Sequence, residues 1–472
     1  MLGKLKQGHW PIFILSSVSA IANMFLPIIL TRILTPEDIG IYKIFFLYLG
    51  LLPFLFLTGG PLHSVYYWVG KGKDQDRYIT AAFQLTFILS LAIIVIGLPL
   101  IVPIASFFEL SITTTQILLL SAFLWVPSGF YKEFILAKGF VAWGSIFGVL
   151  MELIKVFLFL ALAFSGYKLN VIFTAFLIFL AFKMLLTGAL LLKEKLPLFK
   201  IKKKYLSSVW NYCLPIAGAG LLGFVVDKID QIVLTKYLAK DEFAFYTMGC
   251  LMIPPLYMLE MSIIKVLIPK LSTYSEKEPL VALQYFRKAI SDSALLMIPA
   301  AVGLFTFSDS IVELLYTESY LESSIYLKIF SLSYLALILP YDSIPRATGQ
   351  TKWIFKISLI LSPLTLITVL IAANWAGAVM VLSASVFFKF IYRLAGIIYS
   401  CSLMGWRIRD IFPFKKLIIF TMISLLLGLS SWYSRELFDN NLIWFFTSGS
   451  IFFTLYFIAL IIPYKKGYFV ES

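Results

Sequence analysis

The chain has 472 residues, of which 60% are hydrophobic and 14% are charged, and its formal net charge is +14. Because an ordinary soluble domain is about 25% charged, this composition argues against a soluble protein and indicates a membrane protein. Three widely spaced cysteines and two histidines argue against a disulfide framework and an ordinary metal centre.

Apolar segments long enough to cross a bilayer recur along the whole chain. A membrane-spanning helix needs about 20 mainly apolar residues, and about fourteen segments satisfy this criterion. We predict them at residues 10–34, 41–68, 79–105, 112–136, 140–165, 170–192, 210–236, 244–270, 286–308, 323–345, 352–374, 376–400, 415–434 and 441–463. The apolar run of the first segment exceeds the about 7–15 residues of a signal peptide, so we interpret it as a span. The sequence therefore predicts an all-α polytopic membrane protein.

Positive charge is concentrated in alternate loops. Lysines and arginines are frequent in the loop Lys71–Arg77 and in the segment Lys193–Lys204, whereas residues 309–322 contain acids and no lysine or arginine. Since loops rich in lysine and arginine stay on the cytoplasmic side, both termini are predicted to be cytoplasmic. The +14 charge is then mostly a matter of topology, and we expect no nucleic-acid partner.

One segment occurs twice. LTRILTPEDIGIY, at Leu30–Tyr42, is followed 204 residues later by LTKYLAKDEFAFY, at Leu234–Tyr246. A second echo, with a spacing of 210 residues, relates Ala137, Gly139 and Trp143 to Ala347, Gly349 and Trp353. We predict two six-helix repeats, an N-terminal lobe at residues 1–195 and a C-terminal lobe at 196–410, followed by two additional helices at 411–472. Duplicated halves in a membrane protein are typical of transporters.

The first copy also carries a family pattern. Arg32, Leu34, Thr35, Pro36, Asp38, Gly40 and Tyr42 match the form R-x-L-[GTS]-P-x-[DE]-[FY]-G-x-[YF], with Ile39 at the aromatic-or-aliphatic position. The segment resembles the turn after the first span of the polysaccharide-export flippases, the Wzx-like branch of the MATE/MOP superfamily. Locally, Thr35 is suited to cap a helix that starts at Pro36, and Gly40 permits close packing. We interpret the motif mainly as a marker of the fold.

This resemblance implies a fold and a function. The fold is a V-shaped pair of six-helix bundles in a bacterial cytoplasmic membrane. The function is a flippase for undecaprenyl-diphosphate-linked oligosaccharides, the repeat units of O-antigen, capsule or exopolysaccharide. The implied partners are the lipid-linked glycan, membrane lipids, and the polysaccharide polymerase and glycosyltransferases of the same pathway.

Charged residues inside spans supply the candidate site, because each costs about 2.5–3.5 kcal/mol at mid-helix and usually faces a cavity or a partner. The candidate substrate-binding cations are Lys183, Lys265, Lys155, Lys228 and Arg32. Lys183 and Lys265, one in each predicted lobe, have no acid within four residues, so a diphosphate would supply the missing anion. The alternative is that they snorkel to an interface or pair with distant acids. Glu152 and Lys155 share a helix face and are spaced to pair.

Three acids are candidates for coupling transport to a Na⁺ or H⁺ gradient: Asp227, Asp230 and Glu260. We expect no bound cofactor or metal, and because the sequence has no P-loop, we expect that ATP does not drive transport directly. Two other functions stay open. A MATE-type ion-coupled efflux transporter would have a cavity dominated by acids. A polytopic enzyme of polysaccharide assembly would have a large extracytoplasmic loop with clustered Arg or His, which we do not find, so we expect no enzyme activity.

Overall fold

The computed structural model describes residues 10–69, 74–198, 202–275 and 278–465. In these ranges the regular elements are helices. They are α1 Trp10–Leu30, α2 Pro36–Leu55, α3 Gly59–Trp68, α4 Gln75–Gly97, α5 Ile101–Phe108, α6 Ile112–Trp125, α7 Phe130–Ala137, α8 Val141–Phe164, α9 Leu169–Lys193, α10 Lys203–Leu234, α11 Lys240–Gly249, α12 Pro254–Tyr274, α13 Pro279–Thr306, α14 Ser308–Tyr316, α15 Ser323–Ser331, α16 Ser333–Ala336, α17 Ser343–Ala347, α18 Thr351–Trp375, α19 Gly377–Met404, α20 Ile408–Ile411, α21 Phe414–Tyr433 and α22 Asn441–Lys465. The predicted all-α polytopic class is confirmed.

The predicted number of spans is not reached among the described residues. Within the described ranges, eleven helices are long and apolar enough to cross a membrane, or up to twelve if α11 and α12, which meet at a 50° bend, form one span. The predicted count of fourteen is therefore not confirmed. The first predicted span corresponds to α1, Trp10–Leu30, whose last part, Ser17–Leu30, is an apolar helical stretch shorter than a full span. The tenth, at residues 323–345, is divided into α15, α16 and α17, where Pro340 and Pro345 cannot donate backbone hydrogen bonds.

The chain forms two compact units, Met1–Ala244 and Phe245–Ser472. In the first unit α1 packs along α8, and α10 packs against α2, α3 and α4. In the second unit α13 packs against α12 and α21, and α18 packs against α19. The predicted division at residues 195 and 410 rests on internal duplication, which is a different property from compactness, so it stays a prediction.

The two copies of the repeated segment have the same local structure. α1 and α10 end at Leu30 and Leu234, and the following helices begin at Pro36 and Lys240. The next threonine in each copy donates its hydroxyl to the carbonyl three residues before it, at 2.7 Å for Thr31 and 2.8 Å for Thr235. The copies are thus equivalent in backbone geometry as well as in sequence.

The predicted features of the first turn are confirmed. Thr35 is the N-cap of α2, its hydroxyl oxygen accepts from the Asp38 amide at 3.2 Å, and Pro36 is the first helical residue. Gly40 lies against the second copy of the segment, because a Cβ atom at this position would overlap the backbone carbonyl oxygen of Lys240. The absence of a side chain at Gly40 therefore allows α2 to approach that carbonyl.

The second echo is also structural. After α7, the amides of Lys138, Gly139 and Phe140 donate to the carbonyls of Phe134, Leu136 and Ile135. After α17, the amides of Thr348, Gly349 and Gln350 donate in the same pattern to the carbonyls of Ile344, Arg346 and Pro345. Gly139 and Gly349 have φ values of 86° and 72°, in the left-handed region that glycine tolerates. The same turn thus ends a short helix and starts a long span in each half of the sequence.

Aromatic packing fixes the helices that carry Lys155 and Lys183. Phe45 of α2 is stacked on Phe173 of α9, with ring centroids 4.0 Å apart, and Phe159 of α8 packs edge-to-face on Phe176 of α9 at 5.5 Å. Phe45, Phe159 and Phe173 are fully buried. Since aromatic pairs of this kind stabilise by about 0.5–1.5 kcal/mol beyond area burial, α8 and α9 are held in a defined register.

Candidate functional site

The first unit contains a cavity of about 790 Å³, a volume within the range of ligand sites. Its wall is formed by residues of α1–α3, α6–α10 and the turn Pro127–Gly129. Most lining residues are apolar or glycine, and the titratable side chains on the wall are His63, Lys132, Glu133, Glu152 and Lys183.

The break between α2 and α3 shapes one side of the cavity. Pro53 lies near the end of α2, and its carbonyl accepts hydrogen bonds from the Thr58 amide and hydroxyl at 2.9 and 3.2 Å. Leu57, between the helices, has a left-handed backbone with φ of 57°, which is costly for a residue with a side chain. At Gly60 a Cβ atom would lie 2.9 Å from the Cβ of Ala217. The glycine therefore lets α3 pack closely on α10 beside the cavity.

A buried polar triangle joins α1 to α8. The Lys155 ammonium, 6% exposed, forms an ion pair with Glu152 and donates to the side-chain oxygen of Asn23 at 2.7 Å. The Asn23 amide donates in turn to Glu152 at 3.1 Å. The spacing prediction that Glu152 and Lys155 pair is confirmed. Glu152 and Asn23 both bind the Lys155 ammonium, which is not among the residues that line the cavity. Lys155 therefore adds positive charge near the cavity without lying on its wall.

Lys183 differs from the other charges of the cavity. The Glu133 carboxylate lies 3.6 Å from the Lys132 ammonium and accepts from the Tyr66 hydroxyl at 2.8 Å. Glu152 is held by Lys155 and Asn23. Lys183 lines the cavity and forms no ion pair within 4.0 Å in the part of the chain that the structure describes. It is a cation in a mainly apolar wall, and the two acids on that wall, Glu133 and Glu152, have other partners.

The remaining candidates lie elsewhere. Asp227, Lys228 and Asp230 are on α10, with Asp227 exposed and Asp230 4% exposed, and Arg32 is exposed in the turn after α1. In the second unit, Lys265 is exposed on α12, and Glu260 forms a 2.7 Å ion pair with Arg393 of α19. None of these six candidates is among the described residues that line the cavity, and their roles stay predictions.

Four residues that contact the candidate residues or line the cavity were not predicted as site residues from the sequence: Asn23, Lys132, Glu133 and Arg393. Lys132 and Glu133 are adjacent charges inside the predicted span 112–136, so the sequence did contain a signal for them. Asn23 is uncharged, and its partner Lys155 is 132 residues away, so no local pattern indicates the contact. Within the described ranges, no group of three or more His, Cys, Asp or Glu residues is suited to hold a metal ion.

The sequence from residue 29 to residue 325 matches a family described as "Polysaccharide biosynthesis protein". The chain belongs to this family. A search of curated protein sequences finds no significant match. The family membership agrees with the resemblance of the repeated turn and, with the helices above, makes the chain a multi-pass membrane protein.

Solved structures of MATE/MOP transporters share the fold of this polysaccharide biosynthesis family member. The structure "Lipid II flippase MurJ, inward closed conformation" is similar with a TM-score of 0.73 and 18% identity, over 96% of this chain and 99% of that one. An inward-facing multidrug resistance MATE transporter gives a TM-score of 0.62 and 15% identity, over 82% of this chain and 94% of that one. A MOP superfamily transporter from Pyrococcus furiosus, described with the words "Reverse polarity of binding pocket suggests different function", gives a TM-score of 0.58 and 17% identity, over 84% of this chain and 94% of that one. The predicted MATE/MOP fold is thereby confirmed.

Proposed function

We propose that this protein is a flippase that moves an undecaprenyl-diphosphate-linked oligosaccharide from the inner to the outer leaflet of the cytoplasmic membrane by alternating access. The observation that carries the proposal is Lys183, a cation without an ion-pair partner in the described part of the chain, on the wall of a 790 Å³ cavity. Membership of a polysaccharide biosynthesis family supports a glycan as cargo. The fold shared with a protein named as a lipid II flippase supports transport of a lipid-linked one.

The charge of the cavity suits a diphosphate. Lys132, Lys155 and Lys183 face two carboxylates, Glu133 and Glu152, so the region keeps an excess of positive charge. An ammonium presents three donors to phosphate oxygens, and a partly dehydrated cation gains more from an anion than an exposed one does. Lys183 would bind the diphosphate, with Lys132 adding a second cation.

Ion coupling and topology complete the proposal. Asp227, Asp230 and Glu260 are the candidate carriers of Na⁺ or H⁺, and both termini are cytoplasmic. For Glu260 this role requires that Arg393 release the carboxylate during the cycle, because the two are paired at 2.7 Å.

MATE-type efflux of a cationic small molecule is the second candidate. The carboxylates of Glu133 and Glu152 favour it, since they line the cavity. The contacts of both acids to lysines weigh against it, because a cationic substrate would have to displace those lysines.

Deletion of the gene in its host tests the proposal. We expect the lipid-linked oligosaccharide to accumulate on the inner leaflet, accessible only after cell lysis to an added glycan-binding protein, and the surface polymer to disappear. Re-expression of the wild-type chain should restore both. Normal surface polymer in a strain without a redundant flippase would contradict the proposal, and a gain in sensitivity to cationic drugs would favour the efflux function.

A further inference from the structure

We propose that Tyr66, Tyr67 and Tyr212 form a sugar-binding site at the end of the cavity, which takes the glycan while Lys183 takes the diphosphate. The inference rests on the proposed function and adds to it the part of the protein that recognises the sugar. None of these tyrosines is in the repeated segments or among the charged candidates.

The three tyrosines form an aromatic surface on α3 and α10. The rings of Tyr67 and Tyr212 are stacked, with centroids 4.3 Å apart and planes inclined by 11°. Tyr67 is nevertheless 42% exposed, and Tyr66 beside it is 50% exposed. Large aromatic side chains that are both ordered by a partner and exposed present a preorganised contact area.

A rigid base holds this surface. The buried Trp68 is stacked on Tyr78 of α4, with centroids 4.2 Å apart, and its ring meets Tyr212 at 5.6 Å. Tyr78 in turn packs edge-to-face on Tyr205 at 4.9 Å. The ends of α3, α4 and α10 are thus fixed by aromatic contacts, so the exposed rings keep their positions.

The surface is continuous with the cavity. His63, which lines the cavity, lies three and four residues before Tyr66 and Tyr67 on α3, and therefore on the same side of that helix. Ile216, another lining residue, follows Tyr212 by one helical turn. The Tyr66 hydroxyl donates at 2.8 Å to Glu133, which is itself part of the cavity wall. A ligand that extends from Lys183 along the wall towards the ends of α3 and α10 reaches these rings.

The chemistry of the surface fits a pyranose ring. Sugars present an apolar face of C–H groups and a rim of hydroxyls, so they need an aromatic face next to hydrogen-bonding groups. The exposed tyrosine rings supply the first, and the Tyr66 hydroxyl and the Glu133 carboxylate supply the second. The alternative occupant is the lipid headgroup region, where tyrosines are common. The bond from Tyr66 to a cavity carboxylate favours the sugar, because it turns the polar end of this side chain to the cavity wall.

Binding measurements on the full-length protein in nanodiscs test the inference. The two probes are undecaprenyl diphosphate and undecaprenyl diphosphate that carries one N-acetylhexosamine. We expect the wild-type chain to bind the sugar-bearing probe more tightly. Tyr67→Leu and Tyr212→Leu should each weaken binding of that probe by about five- to tenfold and change binding of the bare diphosphate by less than about twofold.

Three controls separate the outcomes. Tyr67→Phe keeps the ring and should bind both probes like the wild type. Tyr399→Leu removes one ring of a comparable stacked pair, with Trp353 at 4.4 Å, in the second unit, and should leave both affinities unchanged. Lys183→Ala should weaken both probes alike.

Equal affinity of the wild type for the two probes, or equal losses for both in the leucine variants, would overturn the sugar site and leave the proposed function intact. Failure of the wild type to bind either probe would overturn the proposed function and the sugar site with it.

Discussion

The Arg393 guanidinium and the Glu260 carboxylate form a 2.7 Å ion pair that joins α19 to α12. Both side chains are largely buried, at 14% and 10% exposure. With the 210-residue spacing that relates Gly139 to Gly349, Arg393 is at the position that corresponds to Lys183 in the first half. Cations thus stand at nearly equivalent points of the two halves. The one in the second half is neutralised, and the one in the first half lacks a carboxylate of its own within the described residues.

Breaking this pair should destabilise the protein. Glu260→Ala leaves Arg393 buried without its counter-charge, which typically costs about 3–5 kcal/mol, and should lower both the thermal unfolding temperature in detergent and the amount of protein in the membrane. Glu194→Ala, which removes a more exposed partner of Lys138, should change stability by less than about 1 kcal/mol. A Glu260→Ala protein of normal stability that has lost only its ion dependence would instead support the coupling role.

Lys183 should matter for transport and little for stability. Lys183→Ala removes the proposed diphosphate ligand without breaking an ion pair, so we expect surface polymer to fall by about tenfold or more at an unchanged protein level. Lys183→Arg should retain part of the activity, because the charge stays while the donor geometry changes. Normal export by Lys183→Ala would refute the cationic site. The same assay on Lys265→Ala decides whether that exposed lysine has a role.

Gly40 should not tolerate a side chain. Gly40→Ala places a Cβ atom against the Lys240 carbonyl, and we expect a loss of about 1–3 kcal/mol because backbone must move. Gly188→Ala is the matched control within a helix, since no described atom lies within 4 Å of its added Cβ, and should be neutral or stabilising by up to about 1 kcal/mol. Unfolding temperatures of the two purified variants give the comparison. Equal unfolding temperatures would show that the backbone at Lys240 moves away from the added Cβ atom at little energetic cost.

The acidic end of the second unit should show a pH dependence. Burial alone would raise the pKa of Asp309, but hydrogen bonds from Ser324 and Lys328, together with the charges of Lys328 and Arg435, hold the pKa below its usual value. The Asp309 carboxylate therefore makes its full contribution to the free energy of unfolding above the ordinary aspartate pKa of about 3.9. This contribution is lost as the pH falls through the lower pKa of the folded state.

Asp309→Asn tests this contribution. At about pH 7 the variant should be less stable than the wild type by about 1 kcal/mol, and the difference should shrink as the pH falls below the ordinary aspartate pKa and through the lower pKa of the folded state. High salt should also reduce it. A difference that persists at the acidic end would show that Asp309 acts through packing or neutral hydrogen bonds.

The sequence predicted local features well because their causes are local. The cap at Thr35, the helix start at Pro36 and the close approach at Gly40 depend on neighbouring residues and on the lack of a side chain, and all three are confirmed. The division of the tenth predicted span was missed because hydropathy averages over Pro340 and Pro345, which interrupt backbone hydrogen bonding while the segment stays apolar.

The candidate site was predicted less completely because its contacts are distant in sequence. The sequence indicated Lys183 as a candidate because no acid lies within four residues of it in an apolar helix, and the structure places it on the cavity wall. Of the two partners of Lys155, the sequence predicted Glu152, which is three residues away, and missed Asn23, which is 132 residues away. The pairing of Glu260 with Arg393 depends on how α12 and α19 pack, and no charge pattern along one helix reveals it.

The two copies of the repeated turn reach the same form with different side chains. In the first copy the Asp38 amide donates to the Thr35 hydroxyl, and in the second the Ala239 amide donates to the Glu242 carboxylate. These are the two complementary bonds of a capping box, one in each copy of the segment. In both copies an acceptor oxygen therefore lies within reach of a backbone amide, although a different side chain carries it. The two turns share this backbone geometry although only four of their thirteen residues are identical, Leu30, Thr31, Leu34 and Tyr42 in the first copy.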